Sequence, residues 1–368
     1  MSKKKILLLG KLPPPYMGPA IATEIILRSS INQYYEMLHL NTQINPSINA
    51  IGKWRLGKFF RNVSLYFQMI RILSQQKPHL VLIPISQSTL GFMKDSFFIL
   101  LAKFFDIKVL IHLRGSNFIN WLTYSSNITR WWVKLVIQKT HGVIVLGSNL
   151  KFLFDDYFKE DKIFVVPNGA NYSIPDSAKK YNEPVKLIHI SNLMASKGLE
   201  DVLEALSLVK EKCQIPFSLD IMGEWCEDST KQKCMNYIEK NLLPVHFIPP
   251  SFSYEKMIFL SSSDIFIFTP RGPEGHPWVI IEAMAAGLPI ISTNKGAIIE
   301  SVQDGVNGFI VEAKNPIQMQ EKIKLLLENS ELRKKMGGKS RKVYLENFTE
   351  EKMVQKLKYA FNKILNDQ

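Results

Sequence analysis

Apolar residues along the chain fall into two alternating patterns. Short, nearly uninterrupted apolar runs occur at 6–9, 80–84, 108–112, 142–146 and 163–166, with a weaker one near 38–41. Between them lie longer stretches of helical character. The alternation returns at 185–190, 217–222, 245–248, 265–268, 290–293 and 309–311. Short runs with no polar face are the signature of strands buried on both sides of a parallel sheet. Strands that alternate with helices build such sheets. Two series predict two Rossmann-like, doubly wound α/β domains. The stretch 167–184, PNGANYSIPDSAKKYNEP, is rich in Pro, Asn, Ser and Lys and reads as the linker. The expected domains are 1–172 and 173–349, with a helical last segment at 350–365.

At 368 residues and 46% apolar content, the chain can build two cores of ordinary size. No apolar run reaches the 18 or more residues of a membrane span; SFFILLAKFF (96–105) is short and carries Lys103. The opening MSKKKILLLG resembles a signal peptide for a few residues only, because Gly10 and Lys11 end its apolar part. It reads better as the first strand. Three cysteines, Cys213, Cys226 and Cys234, fit neither a disulfide framework nor a metal-ligand spacing, which suggests a reducing cytoplasm.

Charge changes the picture of the first half. The net charge is +13. Residues 1–178 hold 21 Lys/Arg against 9 Asp/Glu, whereas residues 179–368 hold 25 against 24. A basic first half suits nucleic acid, an anionic membrane surface or an anionic substrate, or serves solubility alone. Two segments mix cations with aromatics. In 53–77, Lys58, Arg61 and Arg71 interrupt Trp54, Phe59, Phe60, Val63, Phe67 and Ile70. In 118–139, Trp121, Trp131 and Trp132 lie among Arg130, Lys134 and Lys139. Each is either a membrane-facing amphipathic segment or a sheet-covering helix with a solvated basic face.

The chemistry concentrates in 271–293, RGPEGHPWVIIEAMAAGLPIIST. Pro277, with a fixed φ and no N–H, suits the first position of a helix. Gly287 and Pro289 end that helix before the strand IIST. Glu274, Gly275 and His276 then occupy a loop at a helix N-terminus, where Pro277, Trp278 and Val279 open the first turn. Backbone amides and a partial positive charge there favour an anion such as phosphate. Glu282 is the one charge in an apolar helix. Its half-buried carboxylate needs donors, either a salt-bridge partner or the hydroxyls of a sugar or ribose.

Other candidates lie at predicted strand ends, where open α/β sheets gather ligands. Gly18 follows the first strand in GKLPPPYMGPA, a tight loop that is neither a Walker nor a G-x-G-x-x-G motif. His112 closes strand 108–112 and precedes Arg114, Gly115 and Ser116. In HISNLMASKGLEDVL, Asn192, Lys197 and Gly198 precede a helix start, where lysine supplies a point charge for a diphosphate. Gly223 follows strand 217–222, and Glu224 beside it reads as a solvated loop charge.

The spacing of Glu274 and Glu282, together with AMAAGLPIIST and GAIIESVQDGVNGFIV (296–311), resembles the E-x7-E segment of family 4 glycosyltransferases. SNLMASKG resembles the family's G-R-L-x3-K-G, with Asn192 in the arginine position, and VVPNG (165–169) resembles the stretch before its domain boundary. The resemblance is strong over 185–311 and looser over 1–120. It implies a GT-B fold whose domains face each other across a cleft, with the final helix packing back on the first domain. It implies a retaining transfer from a UDP- or GDP-sugar without cofactor or metal. The acceptor would be held mainly by the first domain and the donor by the second. On this resemblance, Gly18 lies over the diphosphate, His112 contacts the donor sugar, Glu274 orients that sugar, and Glu282 holds the ribose. Lys197 carries the diphosphate; the source of a second cation stays open, with Arg114 and Arg271 among the candidates. The implied setting is capsule, exopolysaccharide or lipopolysaccharide assembly by a cytoplasmic protein peripheral to the inner face of the cell membrane, acting on glycan or lipid-linked acceptors. A soluble acceptor, an NAD(P) oxidoreductase and a nucleic-acid-binding protein are the rival readings. Lack of G-x-G-x-x-G after any strand counts against the second, and the E-x7-E segment counts against the third.

Overall fold

The computed structural model describes residues 3–43, 56–175 and 184–366; the side chains of 56–62 and Ser253 fall outside that description. The chain divides into two compact units. Residues 1–170 with 350–368 form the first, and 171–349 form the second.

The first unit is built on six parallel strands: β1 (Lys5–Gly10), β2 (Glu36–Asn41), β3 (Leu80–Ile85), β4 (Lys108–Leu113), β5 (Gly142–Val145) and β6 (Ile163–Val165). Their order is β2-β1-β3-β4-β5-β6. The central strands are largely apolar because helices cover both faces, with Lys5, Lys108 and His112 as the exceptions in β1 and β4. Pro84 lies opposite His112 in the β3–β4 ladder and beyond the β1 ladder, which ends at Leu82. Helices α1 (Gly18–Arg28), α2 (Leu56–Gln76), α3 (Thr89–Phe104), α4 (Phe118–Thr123) and α5 (Asn127–Ile137) follow the strands. Ser126 caps α5 by accepting the Thr129 amide at 3.2 Å.

The second unit repeats the plan with β7 (Val185–Ile190), β8 (Phe217–Met222), β9 (Val245–Ile248), β10 (Ile265–Phe268), β11 (Ile290–Thr293) and β12 (Gly308–Val311). The order β12-β11-β10-β7-β8-β9 is the doubly wound order in which two three-strand halves diverge from the centre. Its helices are α6 (Leu199–Lys212), α7 (Asp228–Lys240), α8 (Ser253–Ser261), α9 (Trp278–Ala285), α10 (Ile298–Ser301), α11 (Pro316–Glu328) and α12 (Ser330–Asn347). All twelve expected strands are present, each end within two residues of its expected place.

The last helix, α13 (Glu350–Asn366), belongs to the first unit. Met353, Val354, Leu357, Ala360, Phe361 and Ile364 recur at three- and four-residue intervals, and all are buried in the core with Ile6, Leu8 and Leu110. Phe361 meets Tyr35 edge-on at 5.5 Å, and the Tyr35 hydroxyl donates to Asn362 Oδ1 at 2.7 Å.

Two expected segments differ in detail. The helix expected over 53–77 begins at Leu56; Lys53, Trp54 and Arg55 lie outside the described residues, as do the side chains of Lys58, Phe59, Phe60 and Arg61. The segment 118–139 is two helices, broken at Tyr124–Ser126. Trp121 and Trp132 are partly buried and donate to Thr89 Oγ1 and Ser96 Oγ, so they brace α3, whereas Trp131 is exposed.

Candidate active site

The second sheet reverses direction between β7 and β10, and the loops that leave those strands meet there. After β7 comes the turn Ala195–Lys197 and then Gly198, whose φ of +78° caps α6. A Cβ on Gly198 would lie 1.9 Å from the Thr269 carbonyl oxygen, so only glycine lets the two loops touch. The amides of Arg271 and Gly272 both donate to Ser196 O, at 2.9 and 3.1 Å. Further on, Gly296, at φ +57°, packs beneath Glu274 and Gly275, and the Ala297 amide donates to Gly275 O at 2.8 Å. The loop carrying Glu274 is thus held from both sides by backbone contacts.

This packing sets Lys197 Nζ 2.6 Å from Glu274 Oε1. Both side chains are largely buried. Burial raises the Glu274 pKa above the ordinary carboxylate value, and Lys197 pulls it partly back. The pair therefore joins a cation suited to a diphosphate to a carboxylate suited to hydroxyls, on the strand-end side where such sheets bind ligands.

Glu282 lies two turns along α9 and is buried. Its donor within the protein is Lys256 on α8, which reaches both carboxylate oxygens at 2.8 and 3.0 Å. Tyr172, itself partly buried, lies close enough for the Glu282 charge, after desolvation, to raise its pKa well above the ordinary value. The salt-bridge alternative for Glu282 is thus realised. Each oxygen still has acceptor capacity beyond the lysine bond. Arg341 on α12 donates to Ala285 O at 2.6 Å, which satisfies a carbonyl at the α9 C-terminus and fixes the helix.

Three details depart from expectation. Pro277 is the residue before the helix rather than its first, because its ψ of 128° is extended; its carbonyl accepts the Ile280 amide at 3.2 Å. His276 faces the interior, where its Nε2 lies 2.6 Å from Ser301 Oγ and its ring packs against Phe348. Arg271 is not a spare cation for a diphosphate: it pairs with Asp201 at 2.6 Å and with Glu200 at 2.7 Å in the first turn of α6.

The remaining candidates take these places. Asn192 and Gly223 sit on the loops after β7 and β8, and Gly223 lies against the Ser191 carbonyl, where a Cβ would come within 1.8 Å. Trp278 is buried and Val279 partly so in the first turn of α9. In the first unit, Gly18 opens α1, with Pro19 next to it. His112 is the penultimate residue of β4, and burial followed by the Arg114 charge holds its pKa well below the ordinary value, so the imidazole is neutral. Lys256 and Arg341 carried no local sequence signal; each acts across a long chain separation on a helix with an ordinary polar face.

Two doubly wound parallel α/β units, one carrying the Lys197–Glu274 loop pair, give this chain the fold of GT-B proteins, as the sequence leads one to expect. Residues 172–343, almost all of the second unit, match the family described as Glycosyl transferases group 1. An uncharacterized glycosyltransferase of Methanocaldococcus jannaschii is 26% identical over 265 residues, 72% of this chain and 71% of that protein. The N,N'-diacetylbacillosaminyl-diphospho-undecaprenol alpha-1,3-N-acetylgalactosaminyltransferase of Campylobacter jejuni is 26% identical over 262 residues, 65% of this chain and 66% of that protein. Among solved structures, Anabaena HepE in complex with UDP-glucose superposes with a TM-score of 0.74 at 15% identity, covering 97% of this chain and 99% of that one.

Proposed function

We propose that the protein transfers a sugar from a nucleoside-diphosphate sugar to a glycan or lipid-linked acceptor, with retention of the anomeric configuration and without a metal or other cofactor. The observation that carries this reading is the Lys197–Glu274 pair, 2.6 Å apart at the point where the second sheet reverses. Departure of a nucleoside diphosphate develops negative charge on its phosphate oxygens. A fixed ammonium in a largely buried setting stabilises that charge more than water would. Glu274, beside it, accepts hydrogen bonds from the hydroxyls of the transferred sugar and orients the ring. Glu282, held by Lys256, shares its remaining acceptor sites with the ribose hydroxyls. Neither carboxylate serves as a nucleophile. His112, a neutral imidazole near the end of β4 in the first unit, is available to a sugar hydroxyl.

The first unit supplies the acceptor side. HepE has been captured with UDP-glucose, and the Campylobacter relative by its name acts on an undecaprenol-linked acceptor; both support the substrate classes proposed. A peripheral place on an anionic membrane fits the surface of the first unit. Leu90, Met93, Phe97 and Phe104 recur along α3 and are exposed, Phe104 at 83%. Ile128 and Trp131 are exposed on α5, the helix packed beside α3, and Lys103, Arg130 and Lys134 lie among them on the same two helices. The process served is assembly of a bacterial surface polysaccharide such as capsule, exopolysaccharide or lipopolysaccharide, at the inner face of the cell membrane.

The test is a hydrolysis screen with UDP- and GDP-sugars, followed by NMR of the product formed from the donor that reacts. Release of one nucleoside diphosphate and a product with the donor's anomeric configuration are expected. No turnover of any nucleotide sugar, or an inverted product, would overturn the assignment.

A further inference from the structure

Arg114 stands directly after β4, and its guanidinium is buried with no hydrogen-bond partner for any of its three nitrogens among the described residues. A guanidinium presents five donors in a rigid fork. Leaving that fork buried and unmatched is among the costliest arrangements a fold can hold. Among the described residues no carboxylate compensates it: burial lowers its pKa to about 10.

The groups around it are unsatisfied as well. Among the described residues, neither ring nitrogen of His112 has a partner, nor does Gln87 Oε1. Gly115 brings Gln87 against this turn, for a Cβ there would lie 2.2 Å from Gln87 Nε2. Asp95 on α3, the acid near Lys11, is already taken by Lys94 at 3.2 Å and by the Ser86 amide at 2.8 Å.

The place in the sheet agrees. Strand order in the first unit reverses between β1 and β3, with β4 next to β3. Ligands of open α/β sheets collect outside the carboxyl ends of strands at such a reversal. Lys11 leaves β1, Gln87 follows β3 and Arg114 leaves β4, so a cation, an amide and a second cation line one stretch of sheet edge. Partial burial and then repulsion from Lys94 lower the Lys11 pKa, against the pull of Asp95.

We infer that this edge is an oxyanion subsite of the first unit, anchored by the Arg114 fork with Gln87 beside it and Lys11 at its rim, and that it grips a phosphate or carboxylate group of the acceptor. Bidentate pairing of guanidinium with either group supplies both strength and orientation. The inference rests on the transferase reading, which gives the donor diphosphate to Lys197 in the other unit.

The experiment uses the full chain saturated with UDP, so that the donor site is filled. Binding of inorganic phosphate, glucuronate and glucose is followed by calorimetry at constant ionic strength. Phosphate or glucuronate binds and glucose does not; phosphate alone points to a phosphorylated acceptor, and glucuronate to an acidic sugar. Arg114→Gln weakens the effective anion at least tenfold, Arg114→Lys less, and Lys11→Gln by a few-fold. Free Arg114→Gln melts no lower than the parent, because it removes an uncompensated buried charge. Three results would overturn the subsite: no binding of either anion, binding that survives Arg114→Gln, or displacement by UDP. A lower melting temperature for free Arg114→Gln would also overturn it by making the arginine structural. Failure of the parent to bind UDP would instead count against the transferase reading.

Discussion

Lys197 and Glu274 are 77 residues apart in the chain, and their charged atoms are 2.6 Å apart in the structure. The distance exists because β7 and β10 are neighbours in the sheet although β8 and β9 intervene in sequence. Each residue also sets the state of the other. The lysine keeps the buried carboxylate ionised over a wider pH range, and the carboxylate holds the ammonium in place.

Glu274→Ala is therefore expected to act mainly on turnover. Orientation of the sugar matters most as the bond to the diphosphate breaks, so kcat should fall by about a hundredfold or more, with the donor KM little changed. Donor-saturation kinetics decide this, and full activity in the variant would remove Glu274 from the site.

Lys197→Ala is expected to weaken UDP binding by about tenfold or more, the loss of one charge-assisted hydrogen bond of roughly 1.5–3 kcal/mol. It should also move the acid limb of the pH–rate profile. Burial places the Glu274 pKa above the ordinary carboxylate value and Lys197 lowers it. If the ionised form is needed, activity is lost as pH falls through that pKa. Without the lysine the pKa rises, so the limb moves to higher pH. Calorimetry with UDP and a pH profile of the residual activity check the two effects separately.

Lys256 and Glu282 form a buried pair, with side chains 13% and 8% exposed. Removing one partner leaves an uncompensated charge, so Lys256→Met should cost about 3–5 kcal/mol of stability in the second unit. The double variant Lys256→Met, Glu282→Leu should recover most of that in denaturant unfolding while weakening donor binding. Donor affinity equal to the parent's in the double variant would take the ribose away from Glu282.

Much of this arrangement was legible in the chain itself. The strands could be read because burial on both faces demands unbroken apolar runs, and Lys197 and Glu274 because helix starts after such strands have a recurrent local chemistry. Arg271 was misread as a spare cation because nothing in its neighbourhood announces Asp201 and Glu200, which reach it only through the sheet order. Lys256 was missed for the same reason. The exposed stripe of α3 was hidden by composition: SFFILLAKFF looks like core, and only the packing of α2 and α5 on its flanks shows that Phe97 and Phe104 stay outside.

Association with vesicles follows from that stripe. The protein should sediment with anionic vesicles at low salt and release as salt rises, since each Lys or Arg near such a surface contributes about 1 kcal/mol within a Debye length of about 10 Å at 0.1 M. Replacing Phe104 and Trp131 with serine should lower the bound fraction at every salt concentration. Equal sedimentation with neutral and anionic vesicles would argue against a membrane role for this face.

Helix α13 gives the two units different histories during synthesis. Leu357, Phe361 and Ile364 fill the core of the first unit, yet they are made only after the whole of the second unit. The second unit is one continuous segment and can close on itself as soon as it emerges. At roughly 5–20 residues per second, the first unit spends tens of seconds with an apolar trough over β1, β3 and β4 waiting for its lid. A nascent chain stalled before Glu350 would carry that trough uncovered, a natural target for a chaperone. A separately supplied peptide of the last nineteen residues, 350–368, is the segment that should rescue it.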